Sequence, residues 1–304
     1  MESNKITIEK ARDFGEVLTD SAILFFKSWK PLLWSMAYIT LPFFLVAFVI
    51  YYMALSDFNG VAMEDAIMSA VYAFSGVAVI FLLASLATQL MVIALVEVYR
   101  QKGDYAKDVS EFWEVLRPVL GKMIGIGFLI WLLPAMLVML GFLLMFASPI
   151  AGGIFLGIAA ISILWYINSA IYASFIAIRY QVSIWDSIKK ALQLTQNQWW
   201  VAFGFMILLG IIVNTFHSLI FLPFTIAQVI ENFSAISKGT NAEMPKTAFT
   251  LLSMFQIAVY IVFNGYSTIC FNLKYYDLLD NRYGSNLESR INNIGKTLVD
   301  ELDE

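Results

Sequence analysis

The 304-residue chain is 60% hydrophobic and 14% charged, with a mean hydropathy of +0.75. A water-soluble domain of this length has no core large enough to hide so much apolar surface, so lipid is the implied solvent. The net charge of −4 contains no long basic run, which excludes a nucleic-acid partner, and the lone Cys270 excludes an intrachain disulfide or a Cys-rich metal site.

Residues 1–30 carry ten charged side chains and no short apolar core ahead of a small-residue site, so no cleavable signal peptide is expected. Uncharged stretches follow at 31–56, 66–96, 123–178, 191–230 and 247–273. As one helix the third would extend roughly 84 Å, against ~30 Å of hydrocarbon, so it must double back. The reversal is expected at residues 147–153, ASPIAGG, where proline removes a donor and the glycines permit a tight turn. Six spans result, near 31–55, 67–97, 122–146, 153–178, 199–226 and 248–273.

Lysine and arginine set the orientation, because segments on the cytoplasmic side retain an excess of them. With six spans, 17 of the 19 cations fall on one side and only Lys238 and Lys246 on the other. Both termini are therefore expected in the cytoplasm.

Ahead of each odd-numbered span lies an amphipathic stretch too polar to cross a bilayer. The first covers about 7–29, with Phe14, Leu18, Phe25 and Trp29 near one helical face. The second begins at Asp108, where Asp108 and Glu111 suit a capping box, and presents Phe112, Val115, Leu116 and Val119. The third sets Ile184, Ile188, Ala191, Leu192 and Thr195 opposite Lys189 and Lys190. The expected fold is thus all-α: a polytopic membrane protein with six transmembrane helices as three hairpins, each preceded by an amphipathic cytoplasmic interfacial helix. A single six-helix domain would occupy 1–276, with repeat units at 6–100, 104–180 and 183–276. Trp29 aligns with Trp199 at the entry to a span, and the units end in Tyr99-Arg100, Arg179-Tyr180 and Lys274-Tyr275.

Two segments carry a resemblance: IRYQVSIWDSIKKALQLTQNQWW at 178–200 and YYDLLDNRYGSNLESRI at 275–291. They resemble signatures of a bacterial membrane superfamily that includes the membrane domain of some glycerophosphoryl diester phosphodiesterases. The matching residues are Ser187, Ala191, Leu192, Thr195, Trp199 and Trp200, then Tyr275, Tyr276, Asp277, Leu278, Gly284, Asn286, Leu287 and Glu288. Leu279 stands where arginine is usual, and Asn286 where aspartate is usual. The resemblance implies a protein of the bacterial inner membrane and carries over no catalytic residue, since the phosphodiesterase activity belongs to a separate soluble barrel.

Acid–base or metal chemistry needs converging ionisable groups, yet His217 is the only histidine and the spans hold almost no carboxylate. His217 is a candidate polar site in the outer half of the fifth span. Gln89, Asn168 and Asn264 lie near midplane and, with Asn214, form a candidate polar centre, because amides facing lipid would lose hydrogen bonds. Glu97 is placed to pair with Arg100, and the pairs Gly121/Gly125 and Gly153/Gly157 suit close helix packing. Residues 277–304 are expected to form a cytoplasmic amphipathic helix with an acidic tail. Its stripe of Leu287, Ile291, Ile294 and Leu298 follows a cap at Ser285 and Glu288 and is a candidate interaction surface.

The reading that asks least of these residues is a non-enzymatic membrane scaffold or accessory subunit, with no metal and no cofactor. Its partners would be the lipid bilayer and a membrane protein or second copy of the chain. The alternative is a transporter or lipid-handling protein with a polar midspan centre and a lipid ligand.

Overall fold

Polar residues set where the helices begin. The computed structural model describes residues 6–57, 63–238 and 246–283, and every regular element among them is an α-helix. Helix α1 (Phe14–Lys27) starts at Asp13, whose carboxylate accepts from the Glu16 N–H at 2.7 Å while the Glu16 side chain accepts from the Asp13 N–H at 3.2 Å. That is a reciprocal capping box. After Ser28 the chain continues as α2 (Trp29–Asp57), and α3 (Met63–Lys102) follows. Helix α4 (Val109–Leu116) starts at Asp108, but the reciprocal box expected with Glu111 does not form. Asp108 takes the Val109 N–H at 2.6 Å, while Glu111 takes the Lys107 N–H at 3.2 Å and the Lys102 ammonium at 2.9 Å. This cation holds the Glu111 carboxyl below the usual carboxylate range.

The next pair is α5 (Leu120–Ala147) and α6 (Pro149–Ala170), separated by Ser148 alone. Ser148 is extended, its hydroxyl accepts from the Ala151 N–H at 3.4 Å, and Pro149 occupies the first helical turn, where its missing donor costs no bond. The expected turn thus shrinks to one residue. Gly152 and Gly153 lie within α6, so their role in a turn is a misreading that the structure corrects. A Cβ on Gly152 would fall 2.5 Å from the Met145 backbone nitrogen, and one on Gly141 would fall 2.3 Å from Leu156 Cδ2. These contacts, with 145 opposite 152 and 141 opposite 156, are those of a closely packed antiparallel pair. The expected pairs also dissolve: Gly121, Gly153 and Gly157 have open space at the Cβ position, and only Gly125 is tight, against Ile184.

Helices α7 (Ala173–Tyr180), α8 (Ile184–Thr195), α9 (Trp199–Lys238) and α10 (Lys246–Tyr283) complete the order. The division expected at 276/277 falls inside α10. Four helical segments are long and apolar enough to cross a membrane among the described residues: Leu83–Lys102, Leu120–Ala147, Pro149–Tyr180 and Trp199–Ala227. Only 6% of the most apolar stretch of α5 is buried, and Phe146, Ile150 and Ile161 stand exposed, as surface meant for lipid requires.

The described residues fall into two compact units. The first lies within Met1–Leu32, Leu90–Met206 and Thr268–Glu304. Leu24, Leu95, Phe112, Leu116, Met123, Tyr172, Leu273 and Tyr275 are fully buried in it. The amphipathic faces of α4 and α8 are largely those expected: Phe112, Leu116 and Val119 are buried, as are Ile188, Ala191 and Thr195, with Lys189 and Lys190 exposed. The face of α1 is not. Its buried residues are Val17, Ser21 and Leu24, and Trp29 is 47% exposed. That face lies roughly 80° around the axis from the expected one, at ~100° per residue. Serine is the cause, since small buried hydroxyls carry no weight in an apolar count. The second unit comprises Leu33–Gln89 and Ile207–Ser267, in which Ala84, Thr88, Leu209 and Phe221 are buried and Phe216 stacks on Phe263 at 6.5 Å.

The α5–α6 contact predicts a contrast between neighbouring glycines. Gly152→Ala drives a methyl into backbone and should cost about 1–3 kcal/mol in thermal unfolding. Gly153→Ala meets open space and should change stability by no more than ~0.5 kcal/mol. Equal effects would remove the packing role assigned to Gly152.

Candidate functional site

Residues 7–12 are expected to open the first amphipathic helix, and instead residues 6–12 form a strap without regular structure in the first unit. Its backbone polar groups need partners, and one buried cation provides most of them. The Arg12 side chain is wholly buried. It donates to Asp20 Oδ2 at 3.0 Å, to the Ile8 carbonyl at 2.7 Å, to the Lys10 carbonyl at 3.2 Å and to the Thr7 carbonyl. A planar guanidinium with five fixed donors is suited to gathering carbonyls in this way; a lysine ammonium is not.

Two further contacts fasten the strap to helix ends. The Ile6 N–H donates to Tyr99 Oη at 2.8 Å, and the Arg12 N–H donates to Asp277 Oδ1 at 2.9 Å. Asp277, on α10, also accepts from Asn281 Nδ2 at 3.0 Å and from the Lys274 ammonium. With 2% of its surface exposed, the carboxylate depends on these donors. The Lys274 ammonium lies 5.8 Å from the Phe205 ring centroid, a second favourable contact for a desolvated cation.

Beside this cluster lies another. Glu97, on α3, is nearly buried and accepts from Arg100 Nε at 2.9 Å, from Arg100 Nη2 at 2.6 Å and from Gln101 Nε2 at 2.8 Å. The pairing expected of Glu97 and Arg100 is thus present, and it is bidentate. Glu9, on the strap, meets Arg100 at 3.4 Å and Arg179 of α7 at 3.0 Å. Arg179 also lies over the rings of Tyr276 and Tyr180, at 5.1 and 5.5 Å. Burial, with Glu97 next in effect, pushes the Tyr276 phenol up; burial likewise raises those of Tyr275 and Tyr105. These phenols therefore stay neutral.

The three aromatic–cation pairs read from the sequence as separate boundary markers thus belong to one unit. Five carboxylates, Glu9, Glu16, Asp20, Glu97 and Asp277, meet five cations, Lys10, Arg12, Arg100, Arg179 and Lys274. The network neutralises itself.

The midspan amides behave separately. In the orientation that satisfies both ends, Asn168 donates to the Ala202 carbonyl at 3.3 Å and accepts from Trp199 Nε1 at 3.2 Å. Its neighbour Ser169 accepts from the Thr195 hydroxyl at 2.7 Å. Asn264 donates to Ser85 Oγ at 3.0 Å, and Gln89 is half-buried. Asn214 is exposed and returns its donor to the Gly210 carbonyl at 2.8 Å, so the inward position expected for it is wrong. An i−4 carbonyl satisfies an outward amide without any partner helix. His217 is half-buried against Phe221 at 4.8 Å and Tyr260 at 6.4 Å, with Nε2 unpartnered. The stripe Leu287, Ile291, Ile294 and Leu298 lies outside the described residues.

Among the described residues, no group of three or more His, Cys, Asp or Glu side chains is placed to hold a metal ion. A groove of about 860 Å3 runs along α5 and α6 past Pro134, Leu140, Trp165 and Tyr166, and a second, of about 380 Å3, lies at residues 6–9, Tyr99, Arg100 and Gly103. Neither contains Gln89, Asn168, Asn264 or Asn214. No family model matches the chain, and no curated protein or solved structure matches it either.

Sequence reasoning missed Glu9, Arg12, Asp20, Lys274 and Asp277 as one constellation. A usable signal exists in Lys274 and Asp277, charges one turn apart immediately after an apolar run, where a solvated loop is usual. The site makes a signed prediction. Lys274→Met strips Asp277 of a cation inside the core, and unfolding should show a loss of about 3–5 kcal/mol. Adding Asp277→Leu removes the stranded charge and should restore at least ~1 kcal/mol of that loss. Additive losses in the double variant would count against the ionic coupling.

Proposed function

We propose that the chain is a non-enzymatic scaffold or accessory subunit of a bacterial inner membrane. In this reading it has six spans and both termini on the cytoplasmic side, and it positions another membrane protein. The observation that carries it is the pairing inside the charged cluster: Glu9, Asp20, Glu97 and Asp277 are spent on Arg12, Arg100, Arg179 and Lys274, and Asn168, Asn214 and Asn264 each have a hydrogen-bond acceptor. A substrate site needs polar groups that are held ready and unspent. The lysine and arginine asymmetry supports the orientation, and the resemblance at 178–200 and 275–291 supports a bacterial membrane origin.

The surface best suited to a partner is the outer face of α8, where Trp185 is 69% exposed beside the exposed Lys189 and Lys190. Exposed tryptophan is enriched at protein interfaces, and the two ammonium groups would steer an acidic partner. The transport reading draws instead on the large groove of α5 and α6, whose lining is apolar apart from Ser162 and Tyr166 and suits acyl chains better than a polar solute.

Extraction from native membranes in mild detergent, followed by identification of retained proteins and lipids, separates the two. We expect a protein retained in fixed stoichiometry and released by Lys189→Glu with Lys190→Glu, while thermal unfolding stays within ~0.5 kcal/mol of the unaltered chain. Solute or lipid movement in proteoliposomes that Asn168→Ala or Asn264→Ala abolishes would overturn the scaffold reading.

A further inference from the structure

Two arginines of the first unit share one oxygen. Arg100 Nη1 and Arg179 Nη2 both approach Glu9 Oε1, at 3.4 and 3.0 Å. They come from the last turns of different helices, so the fold, and not local sequence, brings them together. Arg100 has already committed Nε and Nη2 to Glu97, and only Nη1 is turned to Glu9. Arg179 lies 5.1 and 5.5 Å from the ring centroids of Tyr276 and Tyr180, and its Nη2 is turned to Glu9.

The two carboxylates differ in access. The Glu97 side chain is 4% exposed and that of Glu9 is 44% exposed. Glu97 is buried in the core, whereas Glu9 lines the 380 Å3 groove on a strap without regular structure. We propose that Arg100 and Arg179 form a binding site for the phosphodiester of an anionic phospholipid, and that Glu9 occupies it as an internal ligand when lipid is absent.

Charge selects the class of anion. Glu97 offsets one of the two guanidinium charges, and a single positive charge remains for the ligand. A phosphodiester supplies one negative charge and two free oxygens, the same set a carboxylate offers. A phosphomonoester carries about −1.5 to −2 and would leave an excess in a half-buried site. Position selects the source. The segments able to cross a membrane end at Lys102 and Tyr180, each within two residues of one of these arginines, which suits the depth of lipid phosphates. Exposed Tyr180, together with Trp185 five residues on, has the composition of an interfacial belt.

The proposal goes beyond the scaffold reading and is tested without any partner protein, so its failure leaves that reading standing. The full-length protein in dodecyl maltoside is titrated with phosphatidylglycerol and, separately, with phosphatidylcholine, and thermal unfolding is followed. Phosphatidylglycerol should stabilise it and phosphatidylcholine should not. Glu9→Gln removes the internal competitor, so the half-saturating phosphatidylglycerol concentration should fall by about five- to tenfold. Arg179→Gln should raise it about tenfold or more, and Arg179→Lys should recover only part of the difference.

Opposite signs for Glu9→Gln and Arg179→Gln cannot come from a general loss of stability, and Glu9→Gln decides the matter alone should Arg179→Gln not fold. Equal stabilisation by the two lipids, weaker binding in Glu9→Gln, or unchanged binding in Arg179→Gln would overturn the proposal. Stabilisation by dimethyl phosphate matching that by phosphatidylglycerol, with the same pattern across the variants, would support the phosphodiester chemistry and place its source in solution. A preference for inorganic phosphate would overturn the charge argument.

Discussion

The first unit depends on holding a buried carboxylate, Asp277, in a part of the molecule that offers almost no water. Three donors answer it: the Arg12 N–H, the Lys274 ammonium and the Asn281 amide. A buried carboxylate without such partners costs several kcal/mol and would take up a proton or disrupt its surroundings. Every element around Asp277 is constrained by this requirement. The strap must reach α10, Lys274 must face inward one turn earlier, and the helix must continue past residue 276 to bring Asn281 into range.

These constraints explain why the most distinctive sequence segments coincide with the best-packed structure. Tyr275, Tyr276, Asp277 and Leu278 are all buried, and Thr195 bonds to Ser169 while Trp199 packs by Asn168. These residues do structural work, fixing α8 and the end of α10 in one core. The outward surfaces of α5 and α6 are under a looser constraint, because any apolar side chain satisfies lipid. A recognisable pattern therefore concentrates where polar groups must match one another.

Helix content and the starts of α4, α8 and α9 were legible because their signals are local: a capping residue, a periodic face, a tryptophan at the point of entry. The face of α1 was not, since Ser21 and Ser28 are buried as hydroxyls and an apolar count passes over them. The Asp13–Glu16 box could have been read as readily as the Asp108–Glu111 pair, and the structure reverses the two. Lys102, near α4, takes one oxygen of Glu111 and the Lys107 N–H takes the other, whereas Lys10 meets Glu16 Oε1 at 3.4 Å and leaves Oε2 for the Asp13 N–H. The ionic network was hidden for a different reason. Each member looks like an ordinary boundary charge, and only the fold reveals that three helix ends and a strap share one place. Gly152 makes the same point in packing, because a glycine three residues after a proline reads as a turn until Met145 is seen against it.

Chain order gives the strap a consequence of its own. Arg12 and Asp277 are separated by 265 positions, so the strap exists long before its acceptor does. During synthesis its carbonyls can gather around the Arg12 guanidinium at once, since Thr7, Ile8 and Lys10 are local. The Ile6 contact and the first Glu9 contact can follow when α3 arrives, the second Glu9 contact comes with α7, and the link to Asp277 has to wait for α10. Entropy does not forbid so long a closure, because the cost grows only logarithmically with separation. The order does mean that the strap is completed by α10, the last of the described helices: until it docks the Arg12 N–H lacks this acceptor, so the local energetics of Asp277 report on the assembly of the first unit.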